Sequence, residues 1–390
     1  MKLYLCVLGR NRELSLVELQ MQSAVLDWDI SEGLAVVKNI NTVNPRELPK
    51  TPEQCFLDRL GGTIRMGEII ATVDESEIFS VLTHQIQSQK TEGKIHLGMT
   101  GFGVKKTFVA DLLLQIKQTL KNQNRNVRLL NPSGVPLDSG KIFGEKLLKK
   151  NGFEFLLWKK SGKFFVAQTI ANQNLWNYTI RDREKPFRDA YMGMLPPKLA
   201  QILINLSSPS DDDVIYDPFC GSGTVNIEAV LNNFYTKGSD LSTNFIKGAR
   251  SNAKSISDRF RLPLDFFSFS VADATKISWS SEKKGVVCSE GFLGKNFSHP
   301  PSSAEIFAEK KSIQSLLTAF FQNLDPSIVP RVVICLPAWK KPSGYDSIFV
   351  SLASRIKNYQ PILLWKEKKS LFYDRPGQFV AREVTMWEGV

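Results

Sequence analysis

The stretch Asp217-Pro218-Phe219-Cys220-Gly221-Ser222-Gly223-Thr224 decides how this chain folds. Before it, Val214-Ile215-Tyr216 reads as a buried strand. After it, Val225-Asn226-Ile227-Glu228-Ala229-Val230 reads as a helix. A strand, a glycine turn and a helix make the corner at which an open α/β sheet holds a nucleoside at its carboxyl edge. Gly221 and Gly223 let the backbone approach a ligand with no side chain between them. No Lys-Ser/Thr pair closes the stretch, so it is not a phosphate loop, and it lacks the third glycine of the dinucleotide fingerprint. Cys220 reads as a small filler, because nothing around it marks a reactive thiolate.

Working outward, strands and helices alternate from here to the end. Strands are expected at 214–217, 235–239, 266–271, 285–288, 331–336, 361–366 and 378–386. Such alternation predicts a doubly wound, mostly parallel α/β sheet. The last two strands, with Lys366-Glu367-Lys368-Lys369 between them, predict a closing antiparallel hairpin. Asp217, Asp240 and Asp273 fall at three successive strand ends. A carboxylate at the second of these accepts hydrogen bonds from ribose hydroxyls in nucleoside-binding α/β folds. Asp273, after the third, is placed to accept from an adenine amino group. Upstream, Pro196-Pro197 opens a helix with Leu199, Ile202 and Leu203 as its apolar face.

The N-terminal half reads as α+β. Residues 2–8 and 33–37 predict strands, and 15–24 a helix with Ser15 and Glu18 as a capping box. A short helix at 55–60 ends at Gly61-Gly62, and 63–70 returns as a strand. Residues 95–101 begin a second unit. Its helix 108–120 carries Val109, Leu112, Leu113, Ile116 and Leu120 on one face. A strand at 126–130, a basic helix at 139–150 and a hairpin of 154–159 with 163–169 follow. Phe153, Phe155, Trp158, Phe164 and Phe165 lie among lysines there; strand aromatics belong in the core, with an exposed stacking platform as the alternative. Residues 171–194 show no period and read as a connector.

At 390 residues the chain calls for two or three domains. With 42% hydrophobic and 23% charged residues it has the composition of a globular protein with real cores. No apolar run reaches the length of a membrane span, and residues 1–8 predict a first strand, not a secretory signal. Five scattered cysteines without a Cys-x-x-Cys pair, and three separate histidines, argue against a metal centre and suit a reducing cytoplasm. The net charge of +11 is uneven: residues 105–163 hold thirteen Lys/Arg against four Asp/Glu. A local positive field of that size is a footprint for a phosphate backbone. The candidate contacts are Lys105, Lys106, Arg125, Arg128, Lys141, Lys146, Lys149 and Lys150.

The fragment Asp217–Thr224 resembles motif I of S-adenosylmethionine-dependent methyltransferases that act on amino groups of nucleic-acid bases. The resemblance implies cofactor contacts from Asp217, Pro218, Phe219, Cys220, Gly221, Gly223 and Thr224, from Asp240 with Leu241, and from Asp273 with Ala274. Such enzymes carry Asp/Asn-Pro-Pro-Tyr/Phe after the fourth strand; the acid or amide accepts from the target amine and the ring stacks on the extruded base. Here the stretch is Ser289-Glu290-Gly291-Phe292, and both prolines are absent. Glu290 can supply the carboxylate and Phe292 the ring, with Ser289 beside them as the catalytic candidates. No metal is implied.

Further stretches resemble the THUMP-domain RNA methyltransferases, in particular those that modify N2 of guanosine 10 in tRNA. They are Leu8-Gly9-Arg10, Leu14-Ser15-Leu16, Glu18-Leu19 and Leu60-Gly61-Gly62-Thr63 in the N-terminal part. A joining signature follows: Arg181-Asp182, Lys185-Pro186-Phe187-Arg188-Asp189 and Gly193-Met194-Leu195-Pro196-Pro197-Lys198-Leu199-Ala200. The closing Arg375-Pro376-Gly377-Gln378-Phe379-Val380-Ala381-Arg382-Glu383 belongs to the same resemblance. It implies a ferredoxin-like domain at 1–80, a THUMP domain at 81–172 that grips tRNA, a linker at 173–194 and a Rossmann-like catalytic domain at 195–390. The departure at 289–292 keeps an RNA-binding pseudoenzyme open as an alternative. A shared motif I keeps open a DNA base-amino methyltransferase.

Overall fold

The structure, a computed structural model, describes residues 2–40, 50–188 and 194–390; Asp189 and Gly193 of the joining signature lie outside them. The chain forms two units, Met1–Trp176 and Asn177–Val390. Among the described residues no helix is long and apolar enough to cross a membrane.

The first unit is built on one eight-stranded sheet. Its strands are β1 (Tyr4–Leu8), β2 (Ala24–Asp29), β3 (Leu34–Lys38), β4 (Thr63–Val73), β5 (Ile95–Phe102), β6 (Val127–Leu129), β7 (Gly152–Lys160) and β8 (Lys163–Asn172). They lie in the order β2-β3-β1-β4-β8-β7-β5-β6. β5 pairs in parallel with β6 and β7; the other pairs are antiparallel. Helix Lys106–Asn122 presents the five apolar residues expected of it, and all five are buried. Phe153, Phe155, Trp158 and Phe164 are buried as well, and Phe165 stacks on Trp158 with ring centroids 5.0 Å apart, so the hairpin aromatics form core and no stacking platform. A buried ion pair, Arg65 Nη1 to Glu154 Oε1 at 2.8 Å, ties β4 to β7, and Thr100 Oγ1 donates to the same oxygen at 2.8 Å.

Three local expectations fail in this unit or at its end. The first helix spans Arg12–Gln22 with Asn11 at its N-cap, so Ser15 and Glu18 form no capping box. The Glu18 carboxylate is buried and accepts instead from the backbone N–H of Gly61 at 2.9 Å and Gly62 at 2.7 Å. It satisfies two donors that the Gly-Gly turn would leave orphaned. The basic helix stops at Gly144; Lys146 takes a left-handed φ of 56°, and Leu147 folds back onto Leu130, Leu137 and Ile142. The aperiodic stretch after 171 contains a helix, Leu175–Arg183. Its buried face includes Arg181, which pairs with buried Glu228 at 2.9 Å, and a polar buried face carries no apolar period.

The second unit holds β9 (Val214–Asp217), β10 (Thr236–Asp240), β11 (Phe267–Val271), β12 (Gly285–Ser289), β13 (Arg331–Lys341), β14 (Gly344–Ser347), β15 (Tyr359–Pro361), β16 (Ser370–Tyr373) and β17 (Val380–Gly389). The order is β11-β10-β9-β12-β13-β17-β15, parallel from β11 to β13 and antiparallel at β17. Successive strands step one way from β9 to β11 and the other way from β12 to β13. The carboxyl ends of β9 and β12 therefore flank a topological switch point, where open sheets bind ligands. The strand expected at 361–366 is not one: pairing ends at Pro361, and Trp365 and Lys368 bridge a tight turn in which Lys366 has φ 50°. β16 supplies the antiparallel partner of β17 in its place. Helix Ser303–Asn323 opens on a capping box of Ser302 and Glu305 and sends Ile313, Leu317, Phe320 and Phe321 into a core shared with Trp339 and Trp387.

Candidate active site

The turn after β9 is shaped by its two glycines. Gly221 has φ 48° and Gly223 φ 80°, conformations that cost a side-chain-bearing residue about 1 kcal/mol or more. A Cβ on Gly221 would meet nothing within 4 Å, whereas one on Gly223 would press on Ala249 at 3.2 Å. Gly221 thus opens onto empty space, and Gly223 lets helix Thr224–Leu231 approach helix Thr243–Phe260.

That space is a cavity of about 430 Å³ at the switch point, a size suited to a nucleoside-bearing ligand. Asp217, Pro218, Phe219, Cys220, Gly221 and Thr224 line it, together with Asp240, Leu241, Asp273, Ala274, Glu290 and Phe292. Of the residues expected in the site, Gly223 and Ser289 do not line it. Met194, Leu195, Ser222, Val225, Phe245, Ala272, Leu293, Gly294 and Leu316 also contribute to the wall.

The acids are fixed before any ligand enters. Asp240 accepts from Gly221 N at 3.1 Å and Ser242 N at 2.8 Å, so it braces the glycine turn while facing the cavity. Asp273 accepts from Thr275 N and Oγ1 at 3.0 and 2.7 Å, and these bonds hold its carboxyl below the usual range. Asp217 is almost fully buried. Its Oδ1 accepts from Ser289 Oγ at 2.7 Å and Phe219 N at 3.2 Å. Burial nevertheless pushes its pKa up to about 7. Ser289 accepts in turn from Gly291 N at 3.1 Å. Its hydroxyl is a strut between the ends of β9 and β12, not a group presented to a substrate.

Glu290 faces the cavity and is ion-paired with Arg382 Nε, from β17. Burial raises the Glu290 pKa, and the Arg382 guanidinium opposes that rise. Arg382 itself is buried and also donates to Gln378 Oε1 at 3.3 Å. No spacing in the sequence links Arg382 to Glu290. Among the described residues no cluster of three or more His, Cys, Asp or Glu is gathered as a metal would need.

In the first unit, Lys146, Lys149 and Lys150 line a second hollow of about 440 Å³ with Lys94, His96 and Glu145. Arg128 stands beside it, paired with Glu145 at 3.2 Å. Lys105 and Lys106 begin helix Lys106–Asn122, and Lys141 lies in helix Ser139–Gly144; all three are exposed outside the hollow. Arg125 is engaged with Ile86 O and Thr91 Oγ1. The eight basic candidates do not form a single patch around this hollow.

Residues 187–308 match the family described as "RMKL-like, methyltransferase domain". A stretch within the second unit is thus similar to a methyltransferase domain. Curated relatives include the tRNA (guanine(10)-N2)-dimethyltransferases of Methanothermobacter thermautotrophicus, 40% identical over 72 residues, and of Methanocaldococcus jannaschii, 35% identical over 89 residues. These alignments take in 18% and 23% of this chain, and the chain spans 21% and 25% of those relatives' lengths. Among solved structures, TrmN from Thermus thermophilus superposes with a TM-score of 0.55 at 13% identity, covering 100% of both chains. SMU.472, solved in complex with SAH, gives a TM-score of 0.50 at 13% identity over 100% of this chain and 99% of that one. The methyltransferase-like α/β architecture thus agrees with the fold class expected from motif I.

The raised Asp217 pKa predicts that the stability of the second unit depends on pH. Folding holds the Asp217 proton more tightly than the unfolded chain does, from an ordinary 3.8 up to about 7. The resulting stability is complete below the unfolded value and is lost as pH rises through about 7. Between about pH 5.5 and about pH 8.5 the loss from this group is about 2 kcal/mol. Denaturant melts of the native protein and Asp217→Asn should diverge by that amount over this range; parallel pH profiles would show that Asp217 does not titrate there.

Proposed function

We propose that this chain transfers a methyl group from S-adenosylmethionine to the exocyclic N2 of a guanosine in tRNA, at position 10. The observation that carries this reading is one cavity lined by the glycine turn and three strand-end acids and, with them, by Glu290 and Phe292. The names of the curated relatives, tRNA (guanine(10)-N2)-dimethyltransferases, support the base and the position. When bound, S-adenosylmethionine supplies a methyl group on a sulfonium, whose sulfur keeps the electron pair of the broken S–C bond.

With the cofactor bound, Asp240 would accept from the ribose hydroxyls and Asp273 from the adenine amino group, and the turn at Gly221 would leave room for it. Glu290 accepts an N–H of the guanine amine, aims its lone pair at the methyl carbon, and takes the proton released as the N–C bond forms. Phe292 stacks on the extruded base. Ser289 positions this loop through Asp217. Residues 81–172 act as the THUMP part that grips tRNA, beside a ferredoxin-like part at 1–80, and the lysines at 105–163 hold its phosphates.

A second reading, an RNA-binding pseudoenzyme, draws on the missing prolines and on the Arg382 guanidinium that already occupies Glu290. DNA as the substrate is disfavoured by the resemblance of the N-terminal half and the joining signature. Incubation with unmodified tRNA and methyl-labelled cofactor, followed by nucleoside mapping, should yield N2-methylguanosine. Cofactor binding with no methylguanosine in any tRNA would reject the enzyme reading in favour of the pseudoenzyme.

A further inference from the structure

Below the glycine turn lies a lysine that the reaction scheme does not use. Lys185, in the segment before the methyltransferase core, is buried with 4% exposure and does not line the cavity. Its Nζ donates to Thr224 Oγ1 at 2.9 Å. Among the described residues it has no ion-pair partner; the nearby buried carboxylate, Glu228, pairs with Arg181 at 2.9 Å. Burying an ammonium without a paired anion is costly, and burial lowers the Lys185 pKa against the pull of Asp182 and Glu228.

The segment is clamped in place. Asn252 accepts from Phe187 N at 2.9 Å, and its Nδ2 donates to Phe187 O at 3.0 Å and to Ser222 O at 2.9 Å. One amide therefore ties the stretch carrying Lys185 to the glycine turn itself. Thr224 does line the cavity and is the first residue of helix Thr224–Leu231. A hydroxyl has a single proton. When its oxygen accepts from an ammonium, that proton points elsewhere and becomes a better donor. The helix N-terminus adds positive potential at the same place.

We propose that Lys185 positions the carboxylate of the cofactor's amino-acid moiety, acting through the Thr224 hydroxyl, which donates to that carboxylate. The inference rests on S-adenosylmethionine being the cofactor. It gives the join segment at 185–187 a role in cofactor binding beyond linking two parts of the chain.

The test compares two ligands by calorimetric titration: S-adenosylhomocysteine, and S-adenosyl-3-thiopropylamine, which keeps the nucleoside and the amine but lacks the carboxylate. Lys185→Met should weaken S-adenosylhomocysteine by about ten- to a hundredfold, the range for a hydrogen bond to a charged group. It should change the carboxylate-free ligand by less than about threefold. Thr224→Val, which leaves Lys185 in place, should show the same selective loss and carries the test if Lys185→Met does not fold. Lys185→Arg should restore most of the affinity. Equal losses for both ligands, or none for S-adenosylhomocysteine, would overturn the assignment. A native protein that binds neither ligand would instead overturn the cofactor reading beneath it.

Discussion

Glu290→Ala is expected to lower the single-turnover rate of methyl transfer by about 10²- to 10⁴-fold, the usual contribution of a positioned proton acceptor. S-adenosylhomocysteine affinity should stay within about threefold of native, because the cofactor contacts assigned here come from β9, β10 and β11. The size of the effect follows from what the site can offer. Methyl transfer from a sulfonium to an amine calls for positioning and a proton acceptor, and positioning and electrostatics are what Glu290 and its loop supply. Gly291 has φ 68° in a loop without proline, and that loop is held by the Ser289–Asp217 strut and by Arg382. Glu290→Gln keeps an accepting oxygen but loses the charge, and should fall between native and alanine. Removing Glu290 also leaves Arg382 buried without its anion, at a cost of about 3–5 kcal/mol. The double variant Glu290→Ala/Arg382→Met separates that stability loss from the chemistry, since it should recover stability but not rate. A Glu290→Ala enzyme as fast as native would remove Glu290 from the mechanism.

What could be read in the sequence, and what could not, divides by range. The corner at 217–224 was legible because proline and glycine chemistry is local, and the strand-end acids because parallel strands place their ends along one edge. The cavity accordingly gathers Asp217, Asp240 and Asp273 as expected. Glu290 was legible as an acid after the fourth strand, but its partner was not. Arg382 lies 92 residues away on a strand that enters the sheet antiparallel, and no periodicity reports such a pairing. Ser289 looked like a site residue by adjacency, yet a strand alternates its side chains, and this one turns inward to Asp217. Glu18 was misread for the same reason as helix Leu175–Arg183. In both, a buried charge meets a distant partner: the Gly61 and Gly62 amides for Glu18, and Glu228 for Arg181. Sequence patterns built on apolar period have no term for a buried polar face.

Binding of tRNA is expected to weaken steeply with salt. Lys105, Lys106, Lys141, Lys146 and Lys149 carry no ion pair among the described residues, whereas Arg128 and Lys150 are paired with Glu145 and Glu92. Arg125 is committed to backbone and threonine oxygens. If the five unpaired lysines each neutralise a phosphate, the slope of log K against log salt is about −4 to −5. Between about 50 and about 200 mM salt, affinity then falls by roughly five hundredfold. The three paired or engaged cations would steepen this only by giving up existing partners. The contributions of the unpaired lysines separate by variant: Lys146→Glu/Lys149→Glu removes two of the four lysines that line the hollow and should cut the slope by about two, and Lys105→Glu/Lys106→Glu should do the same from the helix start. Fluorescence anisotropy titrations of tRNA at several salt concentrations measure all three slopes. A loss confined to the hollow variant would place the phosphate contacts there and release Lys105 and Lys106 from the interface. A flat native profile would remove the whole 105–163 segment from RNA binding, because charge neutralisation cannot hold a polyanion without releasing its counterions.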